Sequence, residues 1–207
     1  ETPTGKIVYL TFDDGPSNLT NDFLDILEAH DIKATFFMQG INLQKENLQE
    51  SVKRAAEEGH YVGAHSMTHD YKILYNDFQF VPEMKETLAL IQDITGTKPN
   101  LVRAPYGSAP GLNGEQVRNQ IVENDLKLWD WTIDSQDWLL AKNPTQIVTN
   151  IKNATNREQE VILLHEKAQT LAVLPEIIEF YKSQGYQFAV YHENHHFEMN
   201  FQNDDRL

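Results

Sequence analysis

The first apolar segment of the chain reads Ile7-Val8-Tyr9-Leu10 and continues into Thr11-Phe12-Asp13-Asp14-Gly15-Pro16-Ser17. The run over residues 7–12 is typical of a buried β-strand, and the Gly-Pro pair marks the turn after it. Two adjacent carboxylates, Asp13 and Asp14, therefore leave the end of this strand. Because side chains alternate along a strand, neighbouring acids can serve different tasks, one binding a cation and one transferring protons. This arrangement is typical of a metal hydrolase.

Strand-like and helix-like segments alternate along the chain. Apolar runs rich in β-branched and aromatic residues predict seven buried strands, at residues 7–12, 34–38, 61–65, 101–104, 126–133, 161–165 and 186–191. Segments with helical apolar spacing lie between them, so the strands are expected to be parallel and covered by helices. Seven such units in 207 residues favour a distorted or incomplete (β/α) barrel over an open doubly wound sheet.

Length and composition limit the classes of protein and partner. We predict a single domain over residues 1–207, with a polar C-terminal tail at 191–207 that is expected to be solvated. The chain has 31 acidic and 17 basic side chains and a formal charge of −14, which disfavours binding to nucleic acid or anionic lipid. No apolar stretch approaches the roughly 18 residues of a membrane span. The absence of cysteine excludes disulfides and thiolate metal sites.

Polar residues of the kinds used in catalysis follow the predicted strands. Five strand ends carry them: Asp13 and Asp14, His65 and His69, residues 103–107, residues 134–138, and His165. In parallel barrels the C-terminal ends of the strands converge on one mouth, where the active site lies. The pattern therefore predicts that these side chains meet in one site.

The pair His65 and His69 has the spacing of two metal ligands. A separation of four residues places both imidazoles on one side of a helical turn or tight loop, and Asp14 can supply a third ligand. Two histidines and one carboxylate leave coordination positions open, as in catalytic rather than structural sites. Zinc suits this donor set best, and cobalt, nickel, manganese and iron are the alternatives.

Five segments together resemble the NodB-homology polysaccharide deacetylases, carbohydrate esterase family 4, over about residues 6–191. In order, they are residues 11–17, His65-Ser66-Met67-Thr68-His69, Arg103-Ala104-Pro105-Tyr106-Gly107, Asp134-Ser135-Gln136-Asp137-Trp138 and Leu163-Leu164-His165. The resemblance implies hydrolysis of an N-acetyl group on a glycan by a protein that binds one divalent metal ion. Such a reaction needs a base for the attacking water and an acid for the departing amine.

The resemblance also implies roles for individual residues. Asp13 is the base, Arg103 pairs with it bidentately and keeps it charged, and His165 is the acid. An acidic partner is expected to raise the pKa of His165 and to fix its ring. Asp137 is favoured as that partner, and Asp134 is the alternative because the spacing does not decide between them.

Three further residues are expected around the substrate. By the same resemblance, the backbone N–H of Tyr106 donates to the developing oxyanion. Leu163 forms an apolar wall against the acetyl methyl group, and Trp138 lies at the edge of the groove. For Leu163 and Trp138, simple core packing is the alternative interpretation.

The expected substrate is N-acetylglucosamine in peptidoglycan, with chitin-like oligomers second. Relatives that deacetylate muramic acid carry a different first motif, which Asp14 and Gly15-Pro16 do not match. A chitooligosaccharide deacetylase, an acetyl xylan esterase and an inactive carbohydrate-binding homologue are the alternatives. We expect a monomer, secreted or associated with the cell wall, with any leader or anchor outside this sequence.

Overall fold

The longest strands, β1 and β7, lie side by side within one curled parallel sheet. The structure, a computed structural model, describes residues 3–207. Its strands are β1 Ile7–Gly15, β2 Thr35–Met38, β3 Tyr61–Ala64, β4 Leu101–Val102, β5 Lys127–Leu128, β6 Ile133–Asp134, β7 Gln159–His165 and β8 Gln187–Phe188. All named pairings between them are parallel.

The sheet curls into a barrel that is not closed. Seven strands follow the order β5-β4-β3-β2-β1-β7-β6, and β8 pairs with the first two residues of β1. Because β5 and β6 are the two ends of this path, the opening lies between them. The predicted incomplete (β/α) barrel is therefore confirmed.

Helices fill the connections between the strands. They are α1 Thr20–Ala29, α2 Gly40–Leu43, α3 Gln49–Glu57, α4 Phe80–Thr95, α5 Glu115–Glu123, α6 Thr145–Ala154 and α7 Ala168–Ser183. A π-helix covers Lys72–Asn76, and 3₁₀ turns cover Glu46–Leu48, Asp137–Leu139 and Glu193–His195. Within residues 3–207, none of these helices has the length and apolar character of a membrane span.

Side chains of β1 alternate between two apolar cores. Val8, Leu10 and Phe12 belong to the larger core, which the helices share. Ile7 and Tyr9 belong to a second core with Phe37, Leu101, Trp129, Val161 and Tyr191, which fills the barrel interior. The strand period of two therefore directs the odd-numbered side chains of β1 inward, and Asp13 continues that row.

The predicted fifth strand, residues 126–133, is wrong as a single strand. Only its two ends are strands, β5 and β6, and they pair with different neighbours. After β5, the N–H of Trp129 donates to Val102 O of β4 at 3.1 Å, whereas the N–H of Asp130 donates to Met199 O at 2.7 Å. The C-terminal segment thus lies along the edge of β5 with which the next strand would pair if the barrel continued.

This C-terminal segment is packed rather than solvated, contrary to expectation. Phe197 O accepts from the indole of Trp129 at 3.1 Å, and Leu207 is fully buried in the larger core. His196 is half-buried and bonded to the hydroxyl of Tyr191 and the carbonyl of Leu207, both at 2.9 Å. Polar composition alone therefore does not predict the burial of this segment, because its few apolar residues pack against the rest of the protein.

We predict that Leu207→Ala lowers the free energy of unfolding by about 2–4 kcal/mol, because it leaves a cavity under the tail. Leu139, which is 59 % exposed, provides a matched control, and Leu139→Ala should change stability by no more than about 0.5 kcal/mol. Urea denaturation monitored by tryptophan fluorescence measures both. Equal, small effects would contradict the packing of the tail.

Candidate active site

The end of β1 presents its two carboxylates through a break in the strand. Pairing between β1 and β2 loses register between Asp13 and Gly15, and Asp14 has a left-handed φ of 73°. In a regular strand Asp14 would face the helices, as Phe12 does. The bulge instead directs its carboxylate toward the histidines, while Asp13 keeps the inward direction of the strand.

Neighbouring side chains hold Asp14 in the ionised form. Gln39 donates its amide to Asp14 Oδ1 at 2.7 Å, and Asn42 donates to the Asp14 carbonyl at 3.0 Å. Burial alone would raise the pKa of Asp14, but His65, His165, His69 and the Gln39 hydrogen bond together lower it. An ionised carboxylate is the form that binds a cation.

Asp14, His65 and His69 form a donor set that fits one divalent cation. Their ligand atoms all lie within 4.8 Å of one another, with the Nε2 atoms 3.5 Å (His65) and 3.8 Å (His69) from Asp14 Oδ1. His65 Nδ1 lies 2.8 Å from the carbonyl of Arg103, which can only accept, so Nδ1 carries the proton and Nε2 is left as a ligand. Burial, and then the charge of His65, lowers the pKa of His69. The neutral imidazole that a metal requires is thereby favoured.

The loop that carries these histidines is a tight loop rather than a helical turn. Ser66 and His69 have left-handed φ values of 68° and 57°, and Ser66 Oγ accepts from the N–H of His69 at 2.9 Å. Buried Glu83 of α4 accepts from the N–H groups of Met67 and Thr68, at 3.0 and 2.8 Å. Sequence reasoning missed Glu83, although a carboxylate on the apolar face of α4 is a signal from which it can be found.

Arg103 is fully buried and binds Asp13 inside the barrel. Its Nη1 donates to Asp13 Oδ1 at 3.0 Å and to Thr11 Oγ1 at 2.6 Å. Nε and Nη2 donate to the carbonyls of Trp129 and Asp130, at 3.0 and 2.7 Å. The expected bidentate pairing is therefore wrong, because backbone carbonyls take the other donors. Only one oxygen of Asp13 is bound to the guanidinium.

His165 is paired with Asp137. His165 Nδ1 lies 2.7 Å from Asp137 Oδ1, and Asp137 Oδ2 accepts from the His165 N–H and from the Thr170 hydroxyl, both at 2.6 Å. Asp137 is fully buried, whereas Asp134 is exposed and accepts from the N–H of Gln136 at 2.9 Å. Of the two candidate carboxylates, Asp137 is thus the one that the fold places against the imidazole.

Acidic neighbours change the protonation of His165. Burial on its own lowers the pKa of this imidazole, but the hydrogen bond and charge of Asp137, with the charges of Asp13 and Asp14, raise the pKa to about 9. A ring with that pKa carries a proton at neutral pH. Because Nδ1 faces Asp137, Nε2 is the nitrogen on the side of Asp14, 4.0 Å from its Oδ2.

These groups open into one cavity of about 530 Å³. Tyr106, Trp138 and Leu163 all line it, so the structure brings every predicted substrate-facing residue to the same place. Tyr106 and Trp138 are 59 % and 52 % exposed, whereas Leu163 is only 5 % exposed. The cavity thus has a buried apolar wall beside its acids and exposed rings at its edge.

Glu166, to which the sequence assigns no role, forms hydrogen bonds to the first motif, residues 11–17, and to the start of α1. Its Oε1 accepts from the hydroxyls of Ser17 and Thr20 at 2.9 and 2.5 Å, and its N–H donates to the Asp13 carbonyl at 3.1 Å. A Cβ atom at Gly15 would overlap Oε2 of this carboxyl group. Glycine is therefore required where β1 crosses Glu166.

Comparisons with known proteins agree with this fold. The family described as polysaccharide deacetylase matches residues 1–129. A peptidoglycan-N-acetylglucosamine deacetylase of Bacillus cereus is 48 % identical over 98 % of this chain and 75 % of its own length. The putative polysaccharide deacetylase YheN of Bacillus subtilis is 41 % identical over 89 % of this chain and 67 % of its own length.

Solved structures give the same answer. The crystal structure of a Bacillus cereus polysaccharide deacetylase superposes with a TM-score of 0.94 at 47 % identity, covering 98 % of this chain and all of the other. A peptidoglycan N-acetylglucosamine deacetylase catalytic domain from Eubacterium rectale gives 0.87 at 28 % identity, over 99 % and 96 % of the two chains. The fold and the site are typical of a hydrolase built on an incomplete (β/α) barrel. The chain belongs to the polysaccharide deacetylase family.

We predict that Glu166 makes stability depend on pH. Burial, opposed by the hydrogen bonds from Thr20 and Ser17, raises the pKa of Glu166 from 4.5 to about 7. The folded state therefore keeps a proton that the unfolded chain releases, so this carboxyl group lowers stability as pH rises from about 4.5 to about 7.

The comparison of the wild-type protein with Glu166→Gln tests this prediction. Urea denaturation of chelated protein across this pH range should show the free energy of unfolding falling more steeply in the wild type than in the variant. Parallel pH profiles would show that Glu166 titrates normally.

Proposed function

We propose that this protein is a metal-dependent polysaccharide deacetylase that removes N-acetyl groups from N-acetylglucosamine residues of peptidoglycan and releases acetate. The observation that carries the proposal is the grouping of the Asp14–His65–His69 donor set with two proton-transfer groups, Asp13 and His165, at one cavity. Neighbouring groups lower the pKa of Asp14 and raise the pKa of His165, which favours a charged ligand and a charged acid. A binding protein without turnover has no need of such an arrangement.

The donor set would hold one divalent ion, with Zn²⁺ as our first choice and Co²⁺, Ni²⁺, Mn²⁺ or Fe²⁺ as substitutes. When bound, such an ion polarises the acetyl carbonyl and lowers the pKa of its water. Asp14, His65 and His69 all line the cavity, so water and substrate in the cavity could reach the bound ion.

Asp13 is suited to act as the base. Arg103 binds Oδ1, while Oδ2 lies 3.6 Å from His65 Nε2, on the side of the donor set. Only Oδ1 is bound to the guanidinium, so Oδ2 remains available to accept a proton from the attacking water.

His165 is suited to act as the acid. Its Nδ1 is held by Asp137, so Nε2 can donate a proton to the departing amine. In the complete reaction the water oxygen bonds to the acetyl carbon, the carbon–nitrogen bond breaks, and the amine takes a proton while acetate leaves. Asp137 positions the ring and keeps it charged.

Three cavity residues would orient the acetyl group. The backbone N–H of Tyr106 would donate to the oxyanion, Leu163 would contact the acetyl methyl group, and Trp138 would border the sugar. These roles require Leu163 to face the cavity from β7, which its position two residues before His165 provides.

The choice of substrate rests on relatives. The Bacillus cereus relative and a Listeria monocytogenes relative, 35 % identical over 92 % of this chain and 39 % of its own length, are both named peptidoglycan-N-acetylglucosamine deacetylases. A bifunctional xylanase/deacetylase from Pseudobutyrivibrio xylanivorans is 34 % identical over 93 % of this chain and 31 % of its own length, so acetylated xylan stays among the alternatives. Chitin-like oligomers are a further candidate because they contain the same sugar. We propose a single catalytic domain that acts as a monomer, secreted or at the cell wall.

We predict that acetate release from peptidoglycan exceeds release from acetylated xylan, is abolished by chelation and returns with zinc. Asp13→Asn and His165→Ala should each lower kcat by about 10²- to 10⁴-fold through loss of acid–base catalysis. Zinc binding by both variants, measured by calorimetry, should persist, which separates lost chemistry from a lost metal. Full activity in the chelated protein would refute the proposal.

We predict that Asp137→Asn lowers kcat by at least about 10²-fold, because His165 loses the charge that holds its proton. Asp134→Asn is the matched control from the same motif and should have a much smaller effect. Initial rates on N-acetylglucosamine oligomers, with folding checked by circular dichroism, measure both. A larger loss in Asp134→Asn would reverse the assignment.

A further inference from the structure

A series of aromatic rings leads away from the metal-binding loop. The Tyr106 ring packs edge-on against His69 at 4.8 Å between centroids, and Tyr71 follows at 5.8 Å from Tyr106. Tyr75 continues the series at 4.8 Å from Tyr71. Phe78 lies beyond, in a groove of about 370 Å³ that Tyr75 also lines. We call Tyr106, Tyr71, Tyr75 and Phe78 the aromatic strip.

The aromatic strip is unusually open to solvent. Phe78, Tyr106 and Tyr71 are 73 %, 59 % and 38 % exposed, and they are three of the seven large apolar side chains that are strongly exposed within residues 3–207. Single exposed aromatic residues are ordinary, but contiguous ones beside a cavity mark a binding surface. The ring contacts from His69 to Tyr75 make this surface continuous with the active site.

Other contacts fix the aromatic strip in place before any ligand binds. Tyr75 donates its hydroxyl to the Pro105 carbonyl at 2.7 Å, and Tyr106 donates its hydroxyl to the His69 carbonyl at 3.2 Å. A Cβ atom at Gly111 would overlap the Tyr75 ring, so glycine leaves room for it. Tyr75 also belongs to the π-helix Lys72–Asn76, an irregular helix type that occurs often at functional sites. A surface ordered in advance binds at a lower entropic cost.

The chemistry of the groove suits a neutral sugar. Phe78 and Val117 supply apolar surface, while Gln116 and Gln120 supply amide donors and acceptors beside it. No ionisable side chain other than tyrosine lines this groove among the described residues. Pyranose rings present C–H faces to aromatic rings and hydroxyls to amides, so the two kinds of surface match.

We infer that the aromatic strip binds the sugar residues that neighbour the acetylated one, with Tyr71 as the principal contact beyond the cavity. The inference rests on the proposed function, because it takes the glycan chain as the occupant. Through Tyr71, Tyr75 and Phe78 it adds a determinant of chain length outside the five motifs. The enzyme should therefore prefer long glycans to short ones, through contacts made along the strip.

The test compares kcat/KM for the N-acetylglucosamine hexamer with kcat/KM for the dimer, using zinc-loaded protein. Tyr71→Ala should lower this hexamer-to-dimer ratio about five- to tenfold, the order expected for one lost ring contact. Tyr71→Phe keeps the ring and should restore most of the ratio. Lys72→Ala, a substitution of the exposed neighbour that pairs with Asp77 at 2.9 Å, is the control and should leave the ratio unchanged.

Binding is measured separately from turnover. In a zinc-loaded His165→Ala background, Tyr71→Ala should raise the Kd for the hexamer by a similar factor, as measured by calorimetry. An unchanged ratio and an unchanged Kd in Tyr71→Ala would overturn the inference while leaving the proposed function intact. A wild-type enzyme that releases no acetate from any glycan would instead refute the proposed function, whatever the hexamer binding shows.

Discussion

The buried ion pair between Arg103 and Asp13 is the constraint on which the rest of the site depends. A guanidinium without solvent is costly unless its donors are bonded, and Arg103 makes hydrogen bonds to Asp13, Thr11 and two backbone carbonyls. Its Cζ atom also lies over the Phe37 ring, 4.3 Å from the ring centroid. Moving β1, β4 or the segment after β5 would leave this charge without partners. The interior of the barrel is therefore held in one arrangement, and Asp13 is held with it.

The same arginine couples Asp13, the proposed base, to His65, a proposed metal ligand. Its carbonyl accepts from His65 Nδ1, so one residue orients a carboxylate with its side chain and an imidazole with its backbone. On the other side of β1, buried Asp137 performs a similar task for His165. His65, Asp13 and His165 thus each have a buried partner, which fixes the orientation of their side chains beside a cavity that is open to water.

The C-terminal segment occupies the opening in the barrel, along the edge of β5. Buried Asp130 accepts from the N–H and hydroxyl of Ser108 at 2.9 and 2.5 Å, and from the N–H of Phe201 at 2.8 Å. Burial raises the pKa of Asp130, and these hydrogen bonds oppose that rise. One carboxyl group therefore ties the loop after Tyr106 to the C-terminal segment that lies along β5. The position of Tyr106, which lines the cavity, depends in this way on residues nearly a hundred positions away in sequence.

Local pattern alone determined the barrel class and the direction of the main site residues. Their odd numbering continues that of the inward-facing residues on the strands that they end or directly follow: Asp13 with Tyr9, His65 with Tyr61, Arg103 with Leu101, and His165 with Val161. The tertiary structure alone decided between Asp137 and Asp134, divided residues 126–133 into two strands, and packed the tail. Each of these outcomes depends on a hydrogen-bond partner or strand neighbour that is distant in sequence, such as Met199 for Asp130. Periodicity records which face of a segment is buried, but it contains no information about which other segment covers that face.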